Sequence, residues 1–192
     1  MIFENLQNKS DEDIVSALLQ DKEAFTVLVK RYQEPLTRYL RRLGLTRLED
    51  AEDVLQNVFL KAYRSINDFD RRLKFSSWIY RIAHNEAVSY LRTATAKPSG
   101  ISVNDAEQAM ERIRSDIDLN REAEQILTAE LIASIFPKIN KKYQDVLILR
   151  FFEERSYNEI SDILRIPSGS VATLLNRAKK MLRKELTSKQ RI

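Results

Sequence analysis

Apolar residues along this chain recur at intervals of three and four, in runs separated by short polar breaks, the spacing of helices that each bury one side. The clearest run is Glu49 to Ile66, EDAEDVLQNVFLKAYRSI. Wound at ~100° per residue, it places Ala51, Val54, Leu55, Val58, Ala62 and Ile66 on one side, a core face. The opposite side carries Glu52, Asp53, Gln56, Asn57 and Arg64, with Leu60 in their midst. From pattern alone Leu60 is either a scattered surface leucine or an apolar anchor ringed by polar groups, the form of a small docking patch.

The same spacing predicts further helices. Ser10 before Asp11-Glu12-Asp13 reads as a capped start, followed by Ile14, Val15, Leu18 and Leu19. Asp21 opens a stripe through Phe25, Leu28, Val29, Tyr32, Leu36, Tyr39, Leu40 and Leu43, with Pro35 a possible kink and Gly44 placed as the C-terminal cap. After a polar break from Asn67 to Lys74, a long helix runs from Phe75 to Arg92, with Ser76 or Ser77 expected to cap it. Phe75, Ile79, Ile82, Ala83, Glu86 and Tyr90 share one side, and Trp78, Arg81, Asn85 and Arg92 fall on or near a second. Aromatic and basic groups on an exposed face suit single-stranded DNA, because rings stack on bases and arginines neutralise phosphates. Trp78 is more often a core residue than a stacking platform, Arg81 and Arg92 can equally be solvated, and His84 reads as a surface or packing histidine with no chemistry assigned.

Residues 93–124 break the pattern. Pro98-Ser99-Gly100 is a turn cluster, aromatic residues are absent, and the acidic balance reads as a linker with a transient helix near Ala106–Arg114. Beyond it, Glu122–Phe136 and Asn140–Phe152 are amphipathic helices, with Pro137 marking the end of the first. Ser156-Tyr157-Asn158-Glu159 is a capping box, followed by Ile160, Ile163 and Leu164 and a break at Arg165-Ile166-Pro167. Ser168 is expected to cap a last helix with Val171, Leu174, Leu175, Ala178 and Leu182 as its core face. A short helix, a turn and a longer basic helix make a helix-turn-helix, whose second helix faces the major groove.

Composition sharpens this picture. Glycine numbers only 3 in 192 residues, against phosphate-cradling loops and frequent β-turns. There is no cysteine and a single histidine, which leaves no cysteine-ligated metal and little from which to build a triad; no cofactor or metal is expected. Glu52 and Asp53, adjacent in sequence, point ~100° apart on a helix, poor geometry for shared acid-base work. No apolar run reaches the ~18 residues of a membrane span, and the amino terminus lacks a signal-peptide core, so a cytoplasmic protein is expected. Net charge is +4. Its distribution is uneven: residues 126–192 hold 13 Lys and Arg against 7 Asp and Glu, while residues 96–125 hold 4 against 7. A basic carboxy-terminal third suits a nucleic-acid partner. The expectation is an all-α chain of two small helical domains, residues 1–94 and 125–192, joined by a flexible linker at 95–124, the second domain a helix-turn-helix.

Three motifs carry a family resemblance. Ala51-Glu52-Asp53, Gln56 and Phe59-Leu60 resemble the core-binding helix of RNA polymerase sigma factors, in particular the extracytoplasmic-function (ECF) group. Trp78-Ile79-Tyr80-Arg81-Ile82-Ala83-His84-Asn85, closing with Leu91-Arg92, resembles the family's −10 helix, with His84 where the family often has arginine. Leu149-Arg150, Ser156 to Ile160 and the head of the last helix resemble the −35 reader. The resemblance implies a non-enzymatic factor whose partners are core RNA polymerase and promoter DNA, and leaves open an anti-sigma factor as a third. It implies polymerase binding by Glu52, Asp53, Gln56, Asn57, Phe59, Leu60 and Arg64. For the −10 element it implies Asn67, Arg71, Arg72, Lys74, Trp78, Arg81, Asn85 and Arg92, with Asn67–Lys74 as the base-reading loop. For −35 it implies Arg150, Ser168, Ser170, Ala172, Thr173, Asn176, Arg177 and Lys180. Where the family commonly shows Gly-Thr-Val-Lys-Ser-Arg, this chain has Gly169-Ser170-Val171-Ala172-Thr173-Leu174, so two basic positions are missing and an altered base preference or weaker −35 contact follows. The rival reading is a stand-alone helix-turn-helix regulator whose amino-terminal half senses or dimerises; dependence on polymerase for DNA binding separates the two.

Overall fold

The computed structural model describes residues 6–18, 21–93, 101–116 and 127–188. The expectations at Leu19, at Pro98-Ser99-Gly100 and at Glu122–Ile126 lie outside the described residues. Among the described residues every regular element is helical. The chain divides into two compact units, the first comprising residues 1–41 and 45–95, the second 42–44 and 96–192.

In the first unit, helix α1 (Asp11–Ala17) starts where the sequence says: the Ser10 hydroxyl accepts from the Asp13 amide at 3.1 Å. Asp21 caps a short 3-10 turn that runs into α2 (Phe25–Leu43). Pro35 sits within α2, which continues through it. The helix stops at Gly44, whose φ of 123° lies in the left-handed region that a glycine occupies without a Cβ clash; the Leu45 amide then reaches back to the Leu40 carbonyl at 3.2 Å. Helix α3 (Leu48–Ser65) buries Ala51, Val54, Val58 and Ala62. Leu55 is half-buried, as is Ile66, which lies in the 3-10 turn after the helix. Helix α4 (Phe75–Thr93) packs along α3 and touches α1.

The start of α4 differs from expectation. Neither Ser76 nor Ser77 caps it. Both are inside its first turn, and the Phe75 amide donates instead to the Glu12 carboxylate of α1 at 3.1 Å. A carboxylate at a helix start satisfies an orphan amide and favours the dipole, so this long-range contact does the work of a local cap. Asp11, next to Glu12, accepts from both Arg31 and Tyr32 of α2. One short acidic helix thus ties α2 and α4 together. His84 is buried, with its Nδ1 3.0 Å from the Tyr39 hydroxyl, the packing role rather than the surface one.

In the second unit the expected tether contains an ordered helix. Helix α5 (Val103–Asp116) buries Ala106, Ala109 and Ile113 against α6 (Ala129–Ile135) and against the segment that follows α7 (Lys141–Leu147). Arg112 donates to the Phe151 carbonyl at 3.2 Å and pairs with Glu154, and Lys179 reaches Asp116 at 3.3 Å. The residues read as a linker therefore include a structural part of this unit. Thr128 caps α6 and Asn140 caps α7. The expected Asn140–Phe152 helix changes form at its end, where Ile148–Phe152 widens into a π turn. That turn packs Ile148, Leu149, Phe151 and Phe152 inward together, a bulge no periodicity of 3.6 could announce.

Helix α8 (Tyr157–Leu164) has the full capping box: Ser156 accepts from the Glu159 amide, and the Glu159 carboxylate accepts from the Ser156 amide at 2.9 Å. Removing such a cap costs roughly 1 kcal/mol. Arg165 ends the helix in the left-handed region at φ 53°. Helix α9 (Ser168–Ser188) follows and packs on α7 and α8 through Val171, Leu175, Ala178 and Leu182, all buried. Ser168 is the first helical residue rather than the cap; the Pro167 carbonyl accepts from the Ser170 and Val171 amides at 2.8 and 3.1 Å.

Candidate nucleic-acid and polymerase interfaces

Each unit presents one surface built on a helix whose other face is spent in the core. On α3 the buried Ala51-Val54-Val58-Ala62 stripe fixes the rotation of the helix, and Glu52, Asp53, Gln56, Asn57 and Arg64 are left exposed. Leu60 is 51% exposed among them and Tyr63 39%. Phe59 is only half-buried, and its ring meets the edge of Phe25 at 6.4 Å between centroids; Tyr63 meets the same ring at 5.2 Å. Phe59 therefore braces the helix against α2 as well as bordering the patch. Beside it, Lys61 pairs with Glu86 of α4 at 2.5 Å.

The loop between α3 and α4 is held by its own side chains. The Arg72 guanidinium grips the Asp70 carboxylate through two nitrogens, 2.9 Å from Nε to Oδ1 and 2.8 Å from Nη2 to Oδ2. The Arg72 amide donates to the same Asp70 Oδ1 at 3.0 Å. These bonds from Arg72, side chain first, hold the Asp70 carboxyl at about 2, below its ordinary 3.8. Asn67, Arg71 and Lys74 are exposed, and Arg71 reaches the Ser16 hydroxyl at 3.4 Å. Asn85 and Arg92 are exposed on α4, and Arg81 is half-buried.

Trp78 is the clear correction. It is buried, with its ring 5.2 Å from Phe69 and 5.6 Å from Phe75. Phe69 comes from the loop and Phe75 from the helix start, so three rings close over one another and anchor the loop on α4. An indole enclosed in this way is not an exposed stacking platform; it positions the loop that carries Asn67, Arg71 and Arg72. The role of Phe69 was missed in the sequence, where it looked like one apolar residue in a polar break.

On α9 the first turn exposes Ser168, Gly169 and Ser170, and Thr173, Asn176, Arg177 and Lys180 are exposed farther along; Ala172 is half-buried. The Thr173 hydroxyl donates to the Gly169 carbonyl at 2.9 Å. Its proton is thus committed within the helix, and outward it offers an acceptor lone pair and a methyl group. Lys179 is drawn to Asp116, whereas Arg177 and Lys180 form no ion pair among the described residues. Arg150 stands apart from this face in role. It is half-buried, donates to the Arg155 carbonyl at 3.3 Å and lies over the Tyr157 ring at 5.6 Å. It holds the entry to α8. Among the described residues no cluster of acidic residues or histidine has the arrangement of a metal site, and no helix is long and apolar enough to cross a membrane.

Two family models match the chain: sigma-70 region 2 over residues 28–97 and sigma-70 region 4 over residues 129–182. The chain is 34% identical over 178 residues to the ECF RNA polymerase sigma factor SigW of Bacillus subtilis (strain 168), covering 86% of this chain and 90% of that one. This chain belongs to the ECF group of RNA polymerase sigma factors. It is likewise 34% identical over 189 residues to an ECF RNA polymerase sigma-E factor of Haemophilus influenzae, covering 92% and 95% of the two chains. Its fold resembles that of CnrH, solved in complex with the cytosolic domain of CnrY, with a TM-score of 0.67 at 22% identity over 94% of this chain and 99% of that one. A sigma factor is an initiation subunit and not an enzyme. In these terms α3, the Asn67–Lys74 loop and α4 lie in region 2, and α6 to α9 make up region 4. Helix α5 falls between the two matched regions, although it packs into the second unit.

Proposed function

We propose that this sigma factor joins core RNA polymerase through the outer face of α3, opens the −10 element with the loop and outer face of α4, and reads the −35 element with α9. The observation that carries the reading is Leu60, 51% exposed on a helix whose opposite stripe is almost wholly buried. A large apolar side chain at the centre of a ring of Gln56, Asn57, Arg64 and acids has the make-up of an interface hot spot with a polar rim. The exposed Arg177 and Lys180 of α9 supply the phosphate-seeking charge expected of the second interface. Working with polymerase, the protein acts in the cytoplasm. CnrH was solved with the cytosolic domain of CnrY, and a Bartonella quintana sigma factor of like fold, RpoE (TM-score 0.57, 18% identity), with the anti-sigma factor NepR; a protein of that class, covering these same surfaces, is the expected inhibitor. Run-off transcription with core polymerase and a library of randomised promoters tests the reading. Transcripts that depend on this chain and share −35 and −10 sequences support it, and a chain that binds its DNA equally well without polymerase overturns it in favour of a stand-alone regulator.

A further inference from the structure

Gly169 stands in the first turn of α9 and is exposed there. A Cβ built on it meets no atom within 4 Å. Nothing among the described residues therefore calls for a glycine at this position, and the left-handed backbone that usually explains one is not what it adopts. An alanine would hold the helical turn more firmly, because glycine has more conformational freedom to lose. Gly169 also lies at a telling place on the helix. Thr173, Asn176 and Lys180 follow it at four, seven and eleven residues, so the four form one row along the exposed face, and the Thr173 hydroxyl is bonded to the Gly169 carbonyl.

We infer that Gly169 is a side-chain-free notch on the −35 reader, the point where the sugar-phosphate backbone or a base edge of the promoter duplex passes closest to α9. This rests on the reading of α9 as the −35 helix. Glycine is the usual residue where a ligand comes close to the backbone, and among the described residues no neighbour fills this position. The notch also fits the rest of this recognition helix. With Ala172 and Leu174 standing where the family commonly has Lys and Arg, close fit at the first turn adds to the charge that Arg177 and Lys180 supply farther along the helix.

The test uses the full chain in holoenzyme with core polymerase and a promoter recovered from the library selection, beside the same promoter with its −35 element scrambled. Gly169→Ala should bind the intact promoter about fivefold more weakly or worse, in keeping with a methyl forced into a filled contact, and Gly169→Leu more weakly still. Both should match the wild type on the scrambled promoter. Urea unfolding of the free chain should show Gly169→Ala as stable as the wild type or up to about fivefold more so in its folding equilibrium. A variant that gains stability and loses −35 affinity has lost a contact rather than a fold. Wild-type affinity in Gly169→Ala and Gly169→Leu overturns the inference, as does a loss that tracks reduced stability. Wild-type holoenzyme indifferent to scrambling removes the reading of α9 itself, and the notch with it.

Discussion

Replacing Leu60 with aspartate separates docking from folding. About half of this side chain is already in water, 51% by surface. Fully burying a leucine is worth ~1.5–3 kcal/mol, so covering the exposed half in a complex contributes about 1 kcal/mol, and Leu60→Ala should weaken polymerase binding roughly fivefold. Leu60→Asp does more. It places an unpaired carboxylate at the dried centre of the patch, where desolvation costs several kcal/mol, so the loss should exceed ~3 kcal/mol, over about a hundredfold in affinity. Folding is spared. An aspartate is a poorer helix former than leucine by roughly half a kcal/mol, and in water it sits four residues before Arg64, the order that favours an ion pair. The unfolding midpoint of the variant should therefore fall by no more than about 8 °C. Competition of labelled wild-type chain from core polymerase measures the first quantity and thermal unfolding followed by circular dichroism the second. Unfolding of Leu60→Asp would show that Leu60 belongs to the core; undiminished binding by a folded variant would show that polymerase docks elsewhere.

Three further outcomes follow from the geometry. Arg177→Ala should cost about 1–3 kcal/mol of promoter affinity and, for a lost phosphate contact, reduce the salt dependence of binding by about 0.9 in slope, with polymerase association unchanged; equal loss of both would point to a misfolded second unit. Trp78 is the only tryptophan in the chain, so its emission should be blue-shifted and poorly quenched by acrylamide, and Trp78→Ala should destabilise the first unit by ~3–5 kcal/mol; an emission typical of water would contradict the Phe69-Phe75-Trp78 packing. The Asp70 carboxyl should titrate by nuclear magnetic resonance at about 2 and return toward 3.8 in Arg72→Ala. Because its value is lowered in the fold, the Asp70-Arg72 clasp contributes above the ordinary carboxyl value and is lost as pH falls through about 2, so the loop should hold its form at neutral pH.

The spacing of apolar residues was enough to determine the inward faces of α3 and α8 and most of that of α9. The stripe Ala51-Val54-Val58-Ala62 set the rotation of α3 and so left Leu60 outward; the Ser156-Glu159 box set the start of α8; Val171, Leu175, Ala178 and Leu182 turned the basic face of α9 to solvent. These are local matters, decided by periodicity and caps a few residues apart. Contacts distant in sequence lay beyond such reasoning. Helix α5 shows only small apolar residues, Ala106 and Ala109, with Ile113, and their burial depends on α6 and the π turn closing over them. Trp78 carries no sign in its own helix of whether it faces water, because that depends on Phe69 arriving from the loop. The serines in the first turn of α4 look like caps, but the start of that helix is held by Glu12 of α1, which accepts from the Phe75 amide. One-dimensional spacing determines which side of a helix is apolar; only the assembled chain decides which neighbour covers it and which acceptor each orphan amide finds.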